Sequence, residues 1–175
     1  MIVIIDFFRQ GLDFLADVLP DVRQPFASTP EWTVLIELGL SGDIDPAAAL
    51  ETLFGNAMEA GLVTDGLIAQ SQQQSDDFWR IREMIPEANR LIGSVSSHDI
   101  SVPVGAIPAF IATAHAAFAR HDPTLRINCF GHVGDGNFHL LILFDPNDPD
   151  EFARAKSLAS EVNRVALSFG GTVTG

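Results

Sequence analysis

The sequence predicts an α+β domain in which an antiparallel sheet is covered by helices. Three observations carry this expectation. Stretches with apolar residues at helical spacing alternate with short runs at strand spacing along the whole chain. Residues 126–145 read as one long hairpin, with Gly134-Asp135-Gly136-Asn137 as its turn-forming centre. No G-x-G-x-x-G opens a helix after a strand, which removes the dinucleotide fingerprint of a doubly wound sheet. The element order, α-β-α-β-α and then β-α-β-β-α, reads as two βαβ-type halves of ferredoxin-like character, with helices on one face.

Each element has its own signal. "MIVII" is a strand or strand remnant. Residues 6–19 place Phe8, Leu12, Leu15 and Leu19 on one helical stripe. Residues 32–40 form a strand with Val34, Ile36 and Leu38 on one face, and Leu35 on the other implies cover on both sides. Asp45 and Pro46 open a helix that closes at Gly61. "VTDGLIAQ", residues 63–70, has strand character. Residues 75–92 set Phe78, Ile81, Ile85, Ala88 and Ile92 at core spacing, and Pro86 should kink or divide that helix. A strand at "SHDISVP", a helix over 107–121, the hairpin and a helix from Asp148 to about Phe169 follow. "TVTG" is a strand that has hardly begun.

Composition narrows the function classes. The 175 residues suffice for one domain with a real core, and 47% of them are hydrophobic. Ten basic residues, nine arginines and Lys156, stand against 23 acidic ones, for a net charge of −13. Such an acidic surface argues against nucleic acid or anionic membrane as partner. No apolar run reaches the length of a membrane span, and the start lacks the basic region of a secretory signal. A single cysteine, Cys129, permits no internal disulfide and fits a reducing, cytoplasmic setting.

The chemistry concentrates in "CFGHVGDGNFHLLILF", residues 129–144. A hairpin turn needs the Asp-Gly and the neighbouring Asn, but not His132 and His139 on its shoulders. Two imidazoles on the arms of a hairpin can converge on one metal ion, although a catalytic centre wants a third ligand. The plainer reading packs one histidine on the sheet and leaves the other in solvent. Asp135 and Asn137 make the turn; Asn137 could instead present its amide to a carboxylate. Gly134 and Gly136 supply positive φ or close approach. Arg82, in "FWRIREMIPEANR", is either part of a solvated face, where Arg80 pairs with Glu83 or Glu87, or a guanidinium that forks onto a substrate carboxylate. Asp99 caps or holds His98. Cys129 is core filler, and His115 and His121 are structural or surface residues.

The order of "FWRIREMIPEA", "SHDISVPVGAIPAFI", "CFGHVGDGNFHLLI" and "FGGTVTG" resembles the C-terminal domain of the FAD-linked oxidase family, over nearly the whole chain. That family includes D-2-hydroxyglutarate dehydrogenase, D-lactate dehydrogenase and the FAD-containing subunit of glycolate oxidase. The resemblance implies a flavin-dependent oxidation of a D-2-hydroxy acid to the 2-keto acid. It implies that His132 and His139 ligate a divalent metal, usually zinc. It implies that Arg82 grips the substrate carboxylate and that Asn137 faces the substrate. A lysine common in the family two residues before Asp99 is Ser97 here, which weakens any claim to a dicarboxylate; Pro86 falls where some relatives carry a substrate-contacting threonine. The family continues past the position of Gly175 with Glu-His-Gly, the third ligand and the base. Catalytic residues are therefore expected outside this chain, as is the FAD-binding domain, and residues 1–175 are expected to be a partial substrate and metal domain without turnover of its own. A non-catalytic module that binds metal or a small acid is the alternative, and a relative in which the motif survives only as a turn is a third reading. A homodimer is one expectation left open, and the electron acceptor is not implied.

Overall fold

The structure, a computed structural model, describes residues 2–9, 11–39, 44–121, 123–124, 126–145 and 147–174. In chain order these form β1 (Ile2–Arg9), α1 (Gly11–Val18), β2 (Thr33–Gly39), α2 (Pro46–Glu59), α3 (Gln72–Ile92), β3 (Ser94–Ser101), α4 (Ile107–His121), β4 (Arg126–His132), β5 (Asn137–Phe144), α5 (Pro149–Ser168) and β6 (Thr172–Thr174). The class is α+β, as expected. The strands make one six-stranded sheet in the order β2-β1-β4-β5-β3-β6, and every neighbouring pair is antiparallel. The two halves read from the sequence thus share a single sheet, joined where β1 pairs with β4.

Strand alternation explains why helices cover both faces rather than one. Successive side chains of β5 point to opposite sides. Phe138, Leu140 and Ile142 pack with Ile100, with Phe110, Ala114 and Phe118 of α4, and with Leu158, Val162 and Val165 of α5. Leu141 and Leu143, with Phe130 of β4, pack against Leu12, Phe14 and Leu15 of α1 and Ile81, Ile85 and Ala88 of α3. A strand apolar on both sides needs two covers, since each buried Leu, Ile or Phe contributes about 1.5–3 kcal/mol relative to exposure. Phe110 and Phe138 are fully buried, with ring centroids 5.5 Å apart and tilted.

Local signals decided several boundaries. Asp45 caps α2, accepting from the Ala47 N–H at 2.9 Å, and Gly61 follows the helix at φ 67°. Ser71 caps α3 three residues earlier than expected, accepting from the Gln74 N–H at 3.3 Å. Helix α3 runs through Pro86 as one element, so of the two alternatives, a kink or a division, the division does not occur. Residues 6–9 belong to β1, not to the first helix, which starts at Gly11. Residues 63–70 form no strand; there the Asp65 carboxylate accepts from the Gly66 N–H at 2.8 Å, a local turn that interrupts the run. On β2, an edge strand, Val34 is exposed, Ile36 and Leu38 on its face are half-buried, and Leu35 on the other packs toward α1 and α3. Leu40, the expected end of that strand, lies outside the described residues.

Candidate functional site

The β4–β5 register places Phe130 opposite His139 and His132 opposite Asn137. Residues directly opposite in an antiparallel pair share a face. The parity that sends Phe130 and Leu141 beneath α1 and α3 therefore puts His132, Asn137 and His139 on that same face, toward the hairpin end. Leu141 and Leu143 are covered, whereas the His139 side chain keeps 30% of its exposure. The histidine pair thus lies at the edge of a packed layer, reachable from solvent.

The side chains form a contiguous row. The imidazoles of His132 and His139 are 6.1 Å apart between centroids and nearly perpendicular, at 86°. His139 lies 5.0 Å from the Phe130 ring, and the Arg82 guanidinium carbon, carried by α3, lies 5.7 Å from the other aromatic partner of that contact, the same Phe130 ring. On the far side of His139, β3 places Asp99 directly opposite, and its Oδ1 is 2.5 Å from His139 Nδ1. The expectation that Asp99 serves His98 is corrected here, because neighbours on a strand face opposite ways. His98 turns to the α4–α5 side, where it is buried with its Nε2 2.9 Å from the Ser96 hydroxyl.

The turn is built as its residues require. The Asn137 N–H donates to Asp135 Oδ1 at 3.0 Å. Gly136 has φ 73°, and the Val102 N–H donates to its carbonyl at 3.0 Å, tying the turn to the end of β3. A Cβ at Gly136 would lie 2.0 Å from the Val102 carbonyl oxygen. Gly131 is equally constrained, since a Cβ there would lie 2.1 Å from the Asn137 carbonyl oxygen. Gly134 has neither positive φ nor a neighbour that crowds it, so that part of the reading is corrected.

Other candidates fall outside the row. Glu87 pairs with Arg90 at 2.6 Å, not with Arg80, because the three-residue spacing brings those two together on the helix surface. Cys129 is buried in the core on the opposite face. His115 packs beside Trp32 and Phe118, a structural role. A cleft of about 260 Å³ lies between residues 21–25, Leu67–Ile68 and the start of α3; Arg23, Gln24, Asp77 and Arg80 line it, and none of the row's residues does. The titratable groups converge at the histidine row, apart from that cleft.

A match to the family of FAD linked oxidases, C-terminal domain, spans residues 9–175. The chain belongs to that family. Over 156 residues it is 40% identical to D-2-hydroxyglutarate dehydrogenase of Stutzerimonas stutzeri, covering 88% of this chain and 33% of that protein. It is 37% identical to the mitochondrial D-2-hydroxyglutarate dehydrogenase of Arabidopsis thaliana, covering 77% and 23% respectively. Glycolate oxidase subunit GlcD of Escherichia coli is 34% identical, covering 67% and 23%. The chain thus spans a third or less of the length of these relatives. No helix of the described residues is long and apolar enough to cross a membrane.

Whether this FAD-linked oxidase domain suits a metal is a question of donor geometry. Two imidazoles sharing one ion at about 2.0–2.1 Å have centroids no more than roughly 6.4 Å apart. That limit is reached only with the two nitrogens on opposite sides of the ion; the observed 6.1 Å lies just inside it and exceeds the roughly 5.2 Å of a tetrahedral pair. Among the described residues no group of three His, Cys, Asp or Glu is placed to complete a centre. Sequence reading named both histidines but missed Asp99 as the partner of His139 and Phe130 as the ring between the histidine and Arg82. Strand parity could have put Asp99 on the site face, but only the pairing register brings it to His139.

His98 gives this domain a pH dependence. Burial pushes its imidazole below the ordinary value near 6.5. The unfolded chain then binds a proton at higher pH than the folded one, so stability falls on acidification through the ordinary value and levels off below the folded value. His98→Gln should flatten that fall. Urea midpoints of both chains compared between about pH 7.5 and about pH 5.5 test it, and equal slopes would refute it.

Proposed function

We propose that this chain is the substrate-side domain of a flavin-dependent dehydrogenase that oxidises a D-2-hydroxy acid to the 2-keto acid. One observation carries the reading: Arg82, Phe130, His139 and His132 converge on one solvent-reachable edge of the sheet, where a cation and two imidazoles can meet a small acid. The names of the relatives, D-2-hydroxyglutarate dehydrogenase and glycolate oxidase, support the substrate class.

In this reading the Arg82 guanidinium binds the substrate carboxylate, a planar fork that lysine does not reproduce. His132 and His139 hold a divalent metal, with zinc the first choice for nitrogen donors, and Asn137 at the head of β5 orients the substrate. When bound, the metal would supply Lewis acidity at the hydroxyl, and FAD, held mainly by another part of the protein, would supply the hydride acceptor. In this reading the described residues hold the acid in place. Ser97 is exposed on the face of Asp99, and no lysine in this segment favours a second carboxylate. This weakens the case for a dicarboxylate and leaves the choice of acid open.

The test is Arg82→Lys in the full-length, flavin-loaded protein. KM for the D-2-hydroxy acid should rise on the order of 10- to 100-fold with a smaller change in kcat, the size of a lost charge-assisted pair. An unchanged KM sinks the role of Arg82. If the flavin-loaded protein oxidises no D-2-hydroxy acid, the reading of a non-catalytic module that binds metal or acid replaces this one.

A further inference from the structure

We propose that Asp99 is the positioning residue of this site: its carboxylate accepts the Nδ1–H of His139, fixes that tautomer and leaves Nε2 with its lone pair for a divalent metal. The inference rests on the metal-binding reading above and extends it to a residue outside the ligand motif.

The geometry separates this role from direct ligation. Two donor atoms on one ion at about 2.0–2.2 Å, at right angles or wider, sit about 3 Å apart or more. Asp99 Oδ1 and His139 Nδ1 are 2.5 Å apart, so they share a proton rather than an ion. The contact is set by backbone pairing, since Asp99 and His139 are directly opposite in the β3–β5 ladder. On its other side the imidazole meets the Phe130 ring at 5.0 Å, from the strand directly opposite. His139 is therefore held between a carboxylate and an aromatic ring, each supplied by a neighbouring strand. A carboxylate on the far nitrogen of a metal-binding imidazole orients the ring and raises its basicity as a ligand. Asp99 is itself half exposed and belongs to neither core cluster, so its replacement leaves the packing of the fold in place.

The test uses the full chain labelled with ¹⁵N-histidine, with His139→Gln to assign the His139 signals. At alkaline pH the native chain should show His139 as the Nδ1–H tautomer and bind Co²⁺ with a visible absorption band. Asp99→Leu should convert His139 to the Nε2–H form and weaken Co²⁺ binding about 10- to 100-fold. Asp99→Asn keeps an oxygen acceptor, so it should restore the Nδ1–H form and most of the affinity. A native His139 in the Nε2–H form overturns the proposal, and so does Asp99→Leu binding Co²⁺ as tightly as the native chain. An Nδ1–H tautomer in a native chain that binds no Co²⁺ overturns the metal reading, while still assigning to Asp99 the orientation of His139.

Discussion

Replacing His132 by alanine is expected to remove bound divalent metal and turnover together. In the proposed reading His132 and His139 supply two nitrogens to one ion, and the described residues hold no group of three ligands. Removing one nitrogen leaves a single imidazole, so the loss of affinity should exceed the roughly 100-fold that loss of an outer partner costs. The fold should not suffer. His132 ends β4 opposite Asn137 and belongs to neither core cluster, so the variant should unfold at the native urea midpoint. The measurement is metal content by elemental analysis, with turnover of the flavin-loaded protein on a D-2-hydroxy acid. The metal is added by dialysis, because two histidines can also collect nickel from a column. Unchanged turnover in a protein shown to be metal-free would end the metal role.

The second large effect is on stability. Gly136→Ala should destabilise the chain on the order of 3 kcal/mol. The left-handed φ of 73° costs a residue with a Cβ about 1–2 kcal/mol. The added atom would also stand 2.0 Å from the Val102 carbonyl oxygen, so backbone must move. That movement endangers the Val102 N–H to Gly136 carbonyl bond, which anchors the turn to β3. Since β5 begins at the next residue, the shift also reaches Asn137 and its partner His132, and metal binding should weaken with the fold. Gly134→Ala is the matched comparison, because a Cβ there meets nothing within 4 Å and its φ is not positive. It should leave the urea midpoint within about 0.5 kcal/mol of native. Equal midpoints for the two variants would show that the motif glycines are interchangeable, against the geometry.

The sequence by itself determined the α+β class, the cap at Asp45, the hairpin with its turn, and the histidine pair on its shoulders. These signals are local: a cap acts over three residues, a turn over four, and strand parity follows residue by residue. The extent of β1 was less legible, because residues 6–9 carry a helical apolar spacing that sheet pairing with β2 and β4 overrides. The division that Pro86 could have caused is absent for a related reason. Packing of Ile81, Ile85 and Ala88 on the sheet holds α3 together across it. Only the tertiary structure decided that two apparent halves share one sheet covered on both faces, and that Asp99 serves His139 rather than its neighbour His98. Asp99 and His139 are forty residues apart, and their contact depends on which strands pair and in what register. Register is set by long-range burial of Phe138, Leu140 and Ile142 on one side and Leu141 and Leu143 on the other, and no local pattern states it.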